Sequence, residues 1–201
     1  MQTLKHHAAR LLAATCMCLC AGAALAVPFV PFHHVDIDTS TLGTGTAYLG
    51  IDFLSVGGAT PASATVANLT GALLGTPEAS GSATLDPAGI LTFTSDAGGG
   101  DWFQAVQLGG HFGFDVSFLS SAGSDGSTFS WFLFDDTHYL GVDGNLGSIE
   151  LHPDAPADAL LTVAPDNAFS TVRAVPEPST LLLVALAGCG LMAARRGRRL
   201  A

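Results

Sequence analysis

The chain has 201 residues, of which 48% are hydrophobic, and its formal net charge is −10 at pH 7. Seven Lys and Arg residues against 17 Asp and Glu residues argue against a nucleic-acid-binding protein, because Lys and Arg supply most of the affinity for phosphate. The same excess of negative charge argues against docking on anionic lipid.

The N-terminus has the pattern of a secretory signal peptide. Lys5 and Arg10 lie in a basic start, residues 11–25 are mostly apolar, and Ala24 and Ala26 flank Leu25 in a small-x-small cleavage site. We therefore predict a signal peptide over residues 1–26, with cleavage after Ala26.

Between this signal and the C-terminal tail, residues 27–174 form the predicted exported domain. All four cysteines lie outside it, at positions 16, 18, 20 and 189, so the domain must be held together by its core and not by disulfides. Its only Lys or Arg is Arg173, against 16 carboxylates, which gives a formal charge of −15. Such a charge favours solubility, cation binding or contact with uncharged partners such as neutral glycans.

The dominant hydrophobic period in this domain is two, which is typical of β-strands. Residues 111–118 place Phe112, Phe114, Val116 and Phe118 on one face, whereas residues 128–134 are apolar on both faces. The turn residues Ser124-Asp125-Gly126 predict that these two strands form a hairpin. Further strands are predicted at residues 47–56, 64–69, 82–85, 90–94, 102–108, 148–152 and 168–173. We therefore predict an all-β fold, an antiparallel β-sandwich of which a jelly roll is one form.

Several loop residues carry the hard oxygen ligands that Ca²⁺ prefers. Asp96 and Asp101 flank three consecutive glycines, and Asp143 and Asn145 flank Gly144. A calcium site at these residues is one hypothesis. None of these segments has the spacing of an EF-hand, and Asp-Gly pairs also occur in plain turns. Scattered histidines, including adjacent His33 and His34 that would point apart in a strand, favour packed or surface imidazoles over a zinc site.

The search for catalytic motifs gives a negative result. The chain has no Gly-x-Ser-x-Gly elbow, no His-Glu-x-x-His helix and no phosphate-binding Gly-x4-Gly-Lys loop. A pair of glycosidase carboxylates is defined by a separation in space that the sequence does not supply. We expect a domain that is not an enzyme, in which exposed aromatics such as Trp102 and Tyr139 are candidates for contact with a glycan.

The C-terminal tail reads as a sorting signal. Val175, Pro176, Glu177 and Pro178 precede an apolar run over residues 181–194, and Arg195, Arg196, Arg198 and Arg199 follow it. The two prolines prevent a helix from continuing through the motif. A helix over residues 181–194 would be about 21 Å long at 1.5 Å per residue, shorter than a hydrocarbon core of about 30 Å. We predict a short transmembrane helix whose arginines stop transfer and keep that end in the cytoplasm.

This tail resembles the PEP-CTERM signal of Gram-negative bacteria that produce exopolysaccharide. The resemblance covers residues 175–201 and implies processing by exosortase, a membrane-embedded transpeptidase-like enzyme, with passage through the inner membrane before delivery to the cell surface or extracellular matrix. The domain is similar to uncharacterised PEP-CTERM ectodomains that contain a Tyr-Leu-x-Ile/Leu-Asp-Phe strand, here Tyr48 to Phe53. That similarity implies no catalytic residues.

Three functional hypotheses remain open from the sequence. The first is an exported surface or matrix protein with a structural or adhesive role in biofilm or exopolysaccharide. The second is a lectin-like module that binds carbohydrate, with or without Ca²⁺. The third is a secreted hydrolase of glycans. An exposed aromatic face would favour the second, and a cleft with two close carboxylates would favour the third.

Overall fold

A computed structural model describes residues 32–123, 125–156 and 159–175. The predicted signal peptide and the predicted tail helix lie outside these residues. Apart from one 3₁₀ turn at Asp96–Gly98, the described chain contains β-strands and loops. None of its helices has the length and hydropathy needed to cross a membrane. In chain order the strands are β1 (Phe32–Asp38), β2 (Thr46–Ser55), β3 (Ala62–Thr70), β4 (Leu73–Gly81), β5 (Thr84–Leu85), β6 (Leu91–Thr94), β7 (Gly99–Gln107), β8 (His111–Ser120), β9 (Ser127–Phe134), β10 (Gly147–Leu151), β11 (Leu161–Val163) and β12 (Ser170–Val175).

The strands form two antiparallel sheets of six strands each. Sheet A has the order β12-β1-β8-β3-β6-β5, and sheet B has the order β11-β10-β9-β2-β7-β4. Because β1 to β4 alternate between the sheets, the chain winds around a common core instead of completing one sheet first. This arrangement confirms the predicted antiparallel β-sandwich, while the narrower assignment as a jelly roll stays a prediction.

The core is built from aromatic side chains that meet between the two sheets. Phe129 of β9 is completely buried and contacts three rings of sheet A. Its ring centroid lies 6.2 Å from that of Phe93, 6.1 Å from that of Phe114 and 5.6 Å from that of Phe118, each pair edge to face. This geometry adds to the energy of burial alone. The buried apolar residues of the described chain run from Val35 to Leu151, so the sandwich contains its own core.

A buried hydrogen bond joins the last strand to the opposite sheet. Trp131 of β9 donates from Nε1 to Oγ of Ser170, the first residue of β12, over 2.8 Å. Because an indole N–H is costly to bury without a partner, this bond fixes the start of β12 against sheet B.

The predicted hairpin between residues 111–118 and 128–134 is wrong. Strand β8 pairs with β1 and β3 in sheet A, whereas β9 pairs with β2 and β10 in sheet B. Hairpin partners lie side by side in one sheet, but Phe114 and Phe118 face Phe129 across the core. The chain between the two strands therefore crosses from one sheet to the other.

The glycine-rich segment after Asp96 is shorter than predicted, because β7 begins at Gly99. A Cβ atom at Gly99 would overlap the carbonyl oxygen of Phe53 in β2, and one at Gly100 would lie 2.5 Å from the amide of Ala83. The absence of side chains lets β7 pass close to both neighbours. Asp101 is consequently a strand residue and not a loop residue.

We predict that the Phe129→Ala substitution lowers the free energy of unfolding by about 3–5 kcal/mol, because it removes the ring on which three aromatic contacts converge. Chemical denaturation of residues 27–175, followed by circular dichroism, measures this loss. As a control, Leu119→Ala should change stability by less than about 0.5 kcal/mol, since Leu119 is 68% exposed. Equal losses for the two variants would contradict the central position of Phe129 in the core.

Candidate binding face

Aromatic side chains cover one part of the outer surface of sheet B. Strand pairing sets Tyr48 of β2 opposite Phe134 of β9, and Gly50 of β2 opposite both Phe132 of β9 and Phe103 of β7. These residues alternate with the buried positions of their strands, so their side chains leave the sheet on the side away from the core. Together with one loop residue they form what we call the aromatic face, which consists of Tyr48, Phe103, Phe132, Phe134 and Tyr139.

The five rings of the aromatic face contact one another. The rings of Tyr48 and Phe134 are stacked with centroids 5.3 Å apart, and Phe134 also lies 5.7 Å from Phe132 and 5.6 Å from Phe103. Phe132 meets Phe103 at 6.2 Å and Tyr139 at 5.8 Å, both edge to face. The two tyrosines are the most exposed members, at 39% for Tyr48 and 47% for Tyr139. A contiguous exposed apolar patch of this kind is typical of an interaction site.

Gly50 makes this packing possible. A Cβ atom at Gly50 would overlap the far edge of the Phe132 ring, so only glycine leaves room for that ring to lie over β2. The ring can then reach Phe103, which belongs to the strand on the other side of β2. A single missing side chain therefore joins the aromatic residues of three strands into one surface.

A short loop brings Tyr139 back to the end of β9. Oδ1 of Asp135 accepts hydrogen bonds from the amide of Thr137 at 2.7 Å, from the Thr137 hydroxyl at 2.8 Å and from the amide of His138 at 3.0 Å. The amide of Asp135 donates to the carbonyl of His138 over 3.0 Å. These bonds close the loop, and Tyr139 then forms a β-bridge with Phe134, which places it beside the rings of β9.

A cavity of about 580 Å³ opens beside the aromatic face. Its volume falls within the range of about 300–1,000 Å³ that is usual for small-ligand sites. Its lining combines aromatic and polar residues, namely Phe103, Phe132, Phe134, Asp135, Thr137, His138, Tyr139 and Asp143. The lining contains no Cys or Lys. It offers aromatic surface, carboxylates, a hydroxyl and an imidazole.

A pair of carboxylates lies next to the aromatic face. Asp52 of β2 and Asp101 of β7 are cross-strand partners, and each accepts a hydrogen bond from a serine, Ser130 and Ser80 respectively. Burial raises the pKa of Asp52, the hydrogen bond from Ser130 opposes this rise, and the neighbouring charge of Asp101 adds to it. Neither carboxylate lines the cavity.

The structure separates the residues of the calcium hypothesis. Asp96 accepts a hydrogen bond from Thr94 of sheet A, whereas Asp101 lies in sheet B and is bonded to Ser80. Asp143 lines the cavity, and Asn145 is an exposed residue two positions further along. In the described parts of the chain, no three His, Cys, Asp or Glu side chains are grouped so that they could hold a metal ion. Calcium binding stays a prediction.

The two aromatic residues proposed from the sequence have different positions. Trp102 is 1% exposed, so the expectation that its ring is available to a glycan is wrong. It alternates in phase with buried Gln104 and Val106 on the inner side of β7, and the side chain that leaves this strand outward is that of Phe103. Tyr139 is exposed and belongs to the aromatic face.

The outer surface of sheet A is polar by contrast. Nδ1 of His34 lies 2.7 Å from Oδ1 of Asp115, whose Oδ2 accepts a hydrogen bond of 2.7 Å from Asn68. Nδ1 of His111 lies 3.2 Å from Asp36. His33 is buried on the inner side of the same strand as His34, so the two adjacent histidines point apart as their alternation predicts. Among the described residues, the outward-facing rings that contact one another thus lie on sheet B, whereas sheet A carries the single exposed phenyl ring of Phe32.

The C-terminal end of the described chain is the edge strand of sheet A. Strand β12 stays paired with β1 as far as Val175, which lies opposite Phe32. The next residue is Pro176, which has no amide hydrogen and cannot extend the ladder. The last described strand therefore reaches the residue immediately before the Pro-Glu-Pro sequence.

Comparison with known families identifies the C-terminal signal. Residues 174–199 match the family model of the PEP-CTERM protein-sorting motif. The chain therefore carries this motif, which indicates export and cell-surface sorting in Gram-negative bacteria and implies an exosortase-type processing enzyme as a partner. No curated protein and no solved structure matches the chain.

The raised pKa of Asp52 predicts a specific dependence of stability on pH. The folded state holds the Asp52 proton more tightly than the unfolded state does, so the free energy of unfolding falls as the pH rises above the ordinary pKa of 3.8. Asp52→Asn removes this loss. We expect the melting temperature of Asp52→Asn relative to that of the wild type to increase between about pH 3 and about pH 7.

Asp135 supplies a control of opposite sign. The hydrogen bond from the Thr137 hydroxyl, followed by that from the Thr137 amide, lowers the pKa of Asp135, so its ionised form stabilises the fold and this contribution is lost as the pH falls. Asp135→Asn should therefore lose stability relative to the wild type as the pH rises. If both variants followed the same trend with pH, the assigned pKa shift of Asp52 would be incorrect.

Proposed function

We propose that this chain is an exported surface protein without catalytic activity, whose sandwich has a structural or adhesive role in exopolysaccharide or biofilm. The observation that carries the proposal is the direct junction between the ectodomain and the sorting motif. The motif begins at residue 174, within strand β12, which ends at Val175. The folded domain is thus the cargo that the signal delivers.

The charge and the surface of the sandwich support a role outside the cell. A formal charge of −15 over residues 27–174 keeps a strand-rich domain soluble through mutual repulsion, and a domain without cysteines does not depend on the redox state of its compartment. These properties suit a protein that works among polysaccharides, where neither anionic lipid nor nucleic acid is the partner.

The position of the acidic pair supports a role without catalysis. A glycosidase places its two carboxylates on either side of a bound glycosidic bond. Asp52 and Asp101 instead lie side by side on the surface of sheet B, outside the cavity. Each is already engaged by a serine hydroxyl.

A lectin-like module is the second candidate, and the aromatic face favours it. Sugar rings stack on exposed aromatic side chains, and on sheet B the exposed rings of Tyr48 and Tyr139 are contiguous with three half-buried phenylalanine rings. An adhesive protein and a glycan-binding module differ here only in whether the aromatic face is the surface that contacts the polysaccharide. Calcium dependence is a separate part of this candidate, and it depends on Asp143 and Asn145, because Asp96 and Asp101 belong to different parts of the fold.

Replacement of Pro176-Glu177-Pro178 by three alanines should leave an exported but uncut protein in the inner membrane. Proline disfavours a helix and favours extended backbone, whereas alanine favours a helix. Replacement of Arg195, Arg196, Arg198 and Arg199 by serine should instead weaken retention at the membrane and release unprocessed chain. Cell fractionation and intact-mass measurement in a host that contains exosortase distinguish the two lesions.

The adhesive role is tested in the same strains. Cells that deliver the wild-type chain should retain more exopolysaccharide at their surface than cells with the triple-alanine chain, measured as bound polysaccharide per cell. Normal trimming and delivery of the triple-alanine chain would refute the sorting role of the motif. Equal polysaccharide retention in the two strains, with delivery abolished in one, would refute the adhesive role alone.

A further inference from the structure

We propose that the aromatic face and the cavity beside it form a binding site for an uncharged glycan, with Tyr139 and Phe134 as the stacking residues and the loop after β9 as the polar rim. This inference rests on the proposed function and names its ligand class. It is carried by the juxtaposition of five contiguous rings, of which Tyr48 and Tyr139 are exposed and the other three half-buried, with a cavity of about 580 Å³ whose lining includes two carboxylates.

The rings supply the apolar half of such a site. A pyranose ring has one face of C–H groups that packs against an aromatic ring, and an exposed tyrosine or phenylalanine offers that surface together with a large buried area. Tyr139 is 47% exposed, and its contact with Phe132 is edge to face. Nearly half of Tyr139 is therefore accessible to a ligand.

The loop after β9 supplies the polar half. Oδ1 of Asp135 accepts the three hydrogen bonds from Thr137 and His138, which leaves Oδ2 as an acceptor for sugar hydroxyl groups. Thr137, His138 and Asp143 also line the cavity. A ligand that is apolar on one face and carries hydroxyl groups around its edge matches this division, because carboxylates accept from hydroxyl groups in strong, charge-assisted hydrogen bonds.

The charge of the site selects an uncharged glycan over an acidic one. Asp135 and Asp143 line the cavity, and the pKa of Asp135 is lowered, most strongly by its hydrogen bond with Thr137, so that it stays ionised. The only Lys or Arg between residues 27 and 174 is Arg173, which lies in β12 at the edge of the other sheet. A glycan with carboxylate or sulfate groups would meet this negative charge, and no Lys or Arg lines the cavity to offset it.

A cationic ligand fits the geometry less well. Aromatic cages that recognise quaternary ammonium groups surround the cation with rings. The rings of the aromatic face are instead packed on each other, with centroids 5.3 to 6.2 Å apart, and do not form such a cage.

The test uses purified residues 27–175. This segment contains the whole described core and both terminal strands, β1 and β12, which pair in sheet A. Binding is measured by isothermal titration with three uncharged probes, cellopentaose, laminaripentaose and mannopentaose, and with the acidic probe trigalacturonate and the cation choline. At least one uncharged probe should bind. Tyr139→Ala and Phe134→Ala should each weaken that binding by at least about tenfold, the effect of about 1.4 kcal/mol of lost contact.

Matched variants separate stacking from folding. Tyr139→Phe keeps the ring and should retain affinity within about threefold, whereas Gly50→Ala keeps all five rings but displaces Phe132 and should weaken binding. Leu119→Ala removes an exposed apolar side chain elsewhere and should have no effect. Melting temperatures measured for every variant identify any that has unfolded, and titration with Ca²⁺ and with EDTA tests calcium dependence.

Three outcomes would overturn the proposal: no binding of any uncharged probe, unchanged affinity in folded Tyr139→Ala, or tighter binding of trigalacturonate or choline. Because the measurement uses the purified domain, its failure leaves the sorting and adhesion experiments intact. Failure of sorting, in turn, would not change the affinity of the isolated domain.

Discussion

The packing of Phe129 between Phe93, Phe114 and Phe118 is the contact on which the rest of the structure depends. It holds the two sheets face to face and fixes which side of β9 points inward. Because side chains in a strand alternate, an inward Phe129 forces Phe132 outward, and the whole aromatic face follows from the register of the core. A shift of one residue in β9 would exchange the two sides of the strand.

Strand β9 is unusual in being aromatic on both sides, and the outer side has a physical cost. An exposed patch of aromatic residues on a strand-rich protein favours association between copies. The strong negative charge of the ectodomain opposes that association by repulsion, although it also disfavours the compact state. Acidity and the aromatic face are therefore complementary, since the charge keeps the patch in solution and also determines which ligands can approach it.

The period-two pattern was sufficient to predict the fold class and most of the strands, but three strands were not predicted. In β1, His33 takes an inward position that an apolar residue usually holds, which hides the alternation with Val35 and Ile37. In β4, Pro77 and flanking glycines read as a turn, yet an edge strand tolerates them, and the register with β7 shifts there. Strand β11 has only three residues, too few for any period.

The candidate site was less predictable because it depends on which strands are neighbours. The sequence alone shows that Phe132 and Phe134 share one side of β9, but not that Tyr48 and Phe103 lie beside them. That information lies in the pairing of β2 with β9 and β7. The inward position of Trp102 did have a signal, since it is in phase with Val106, and the same phase directs Phe103 outward.

The start of the sorting motif and the aromatic face lie on different sheets of the ectodomain. The sorting motif leaves from β12, the edge strand of sheet A, whereas the aromatic face is on the outer side of sheet B. Packed sheets are about 10 Å apart, so the attachment strand and the aromatic face are separated by the thickness of the core. A buried hydrogen bond from Trp131 of β9 to Ser170 of β12 joins the two sheets. The described chain therefore reaches the start of the sorting motif in one sheet and carries the aromatic face on the other.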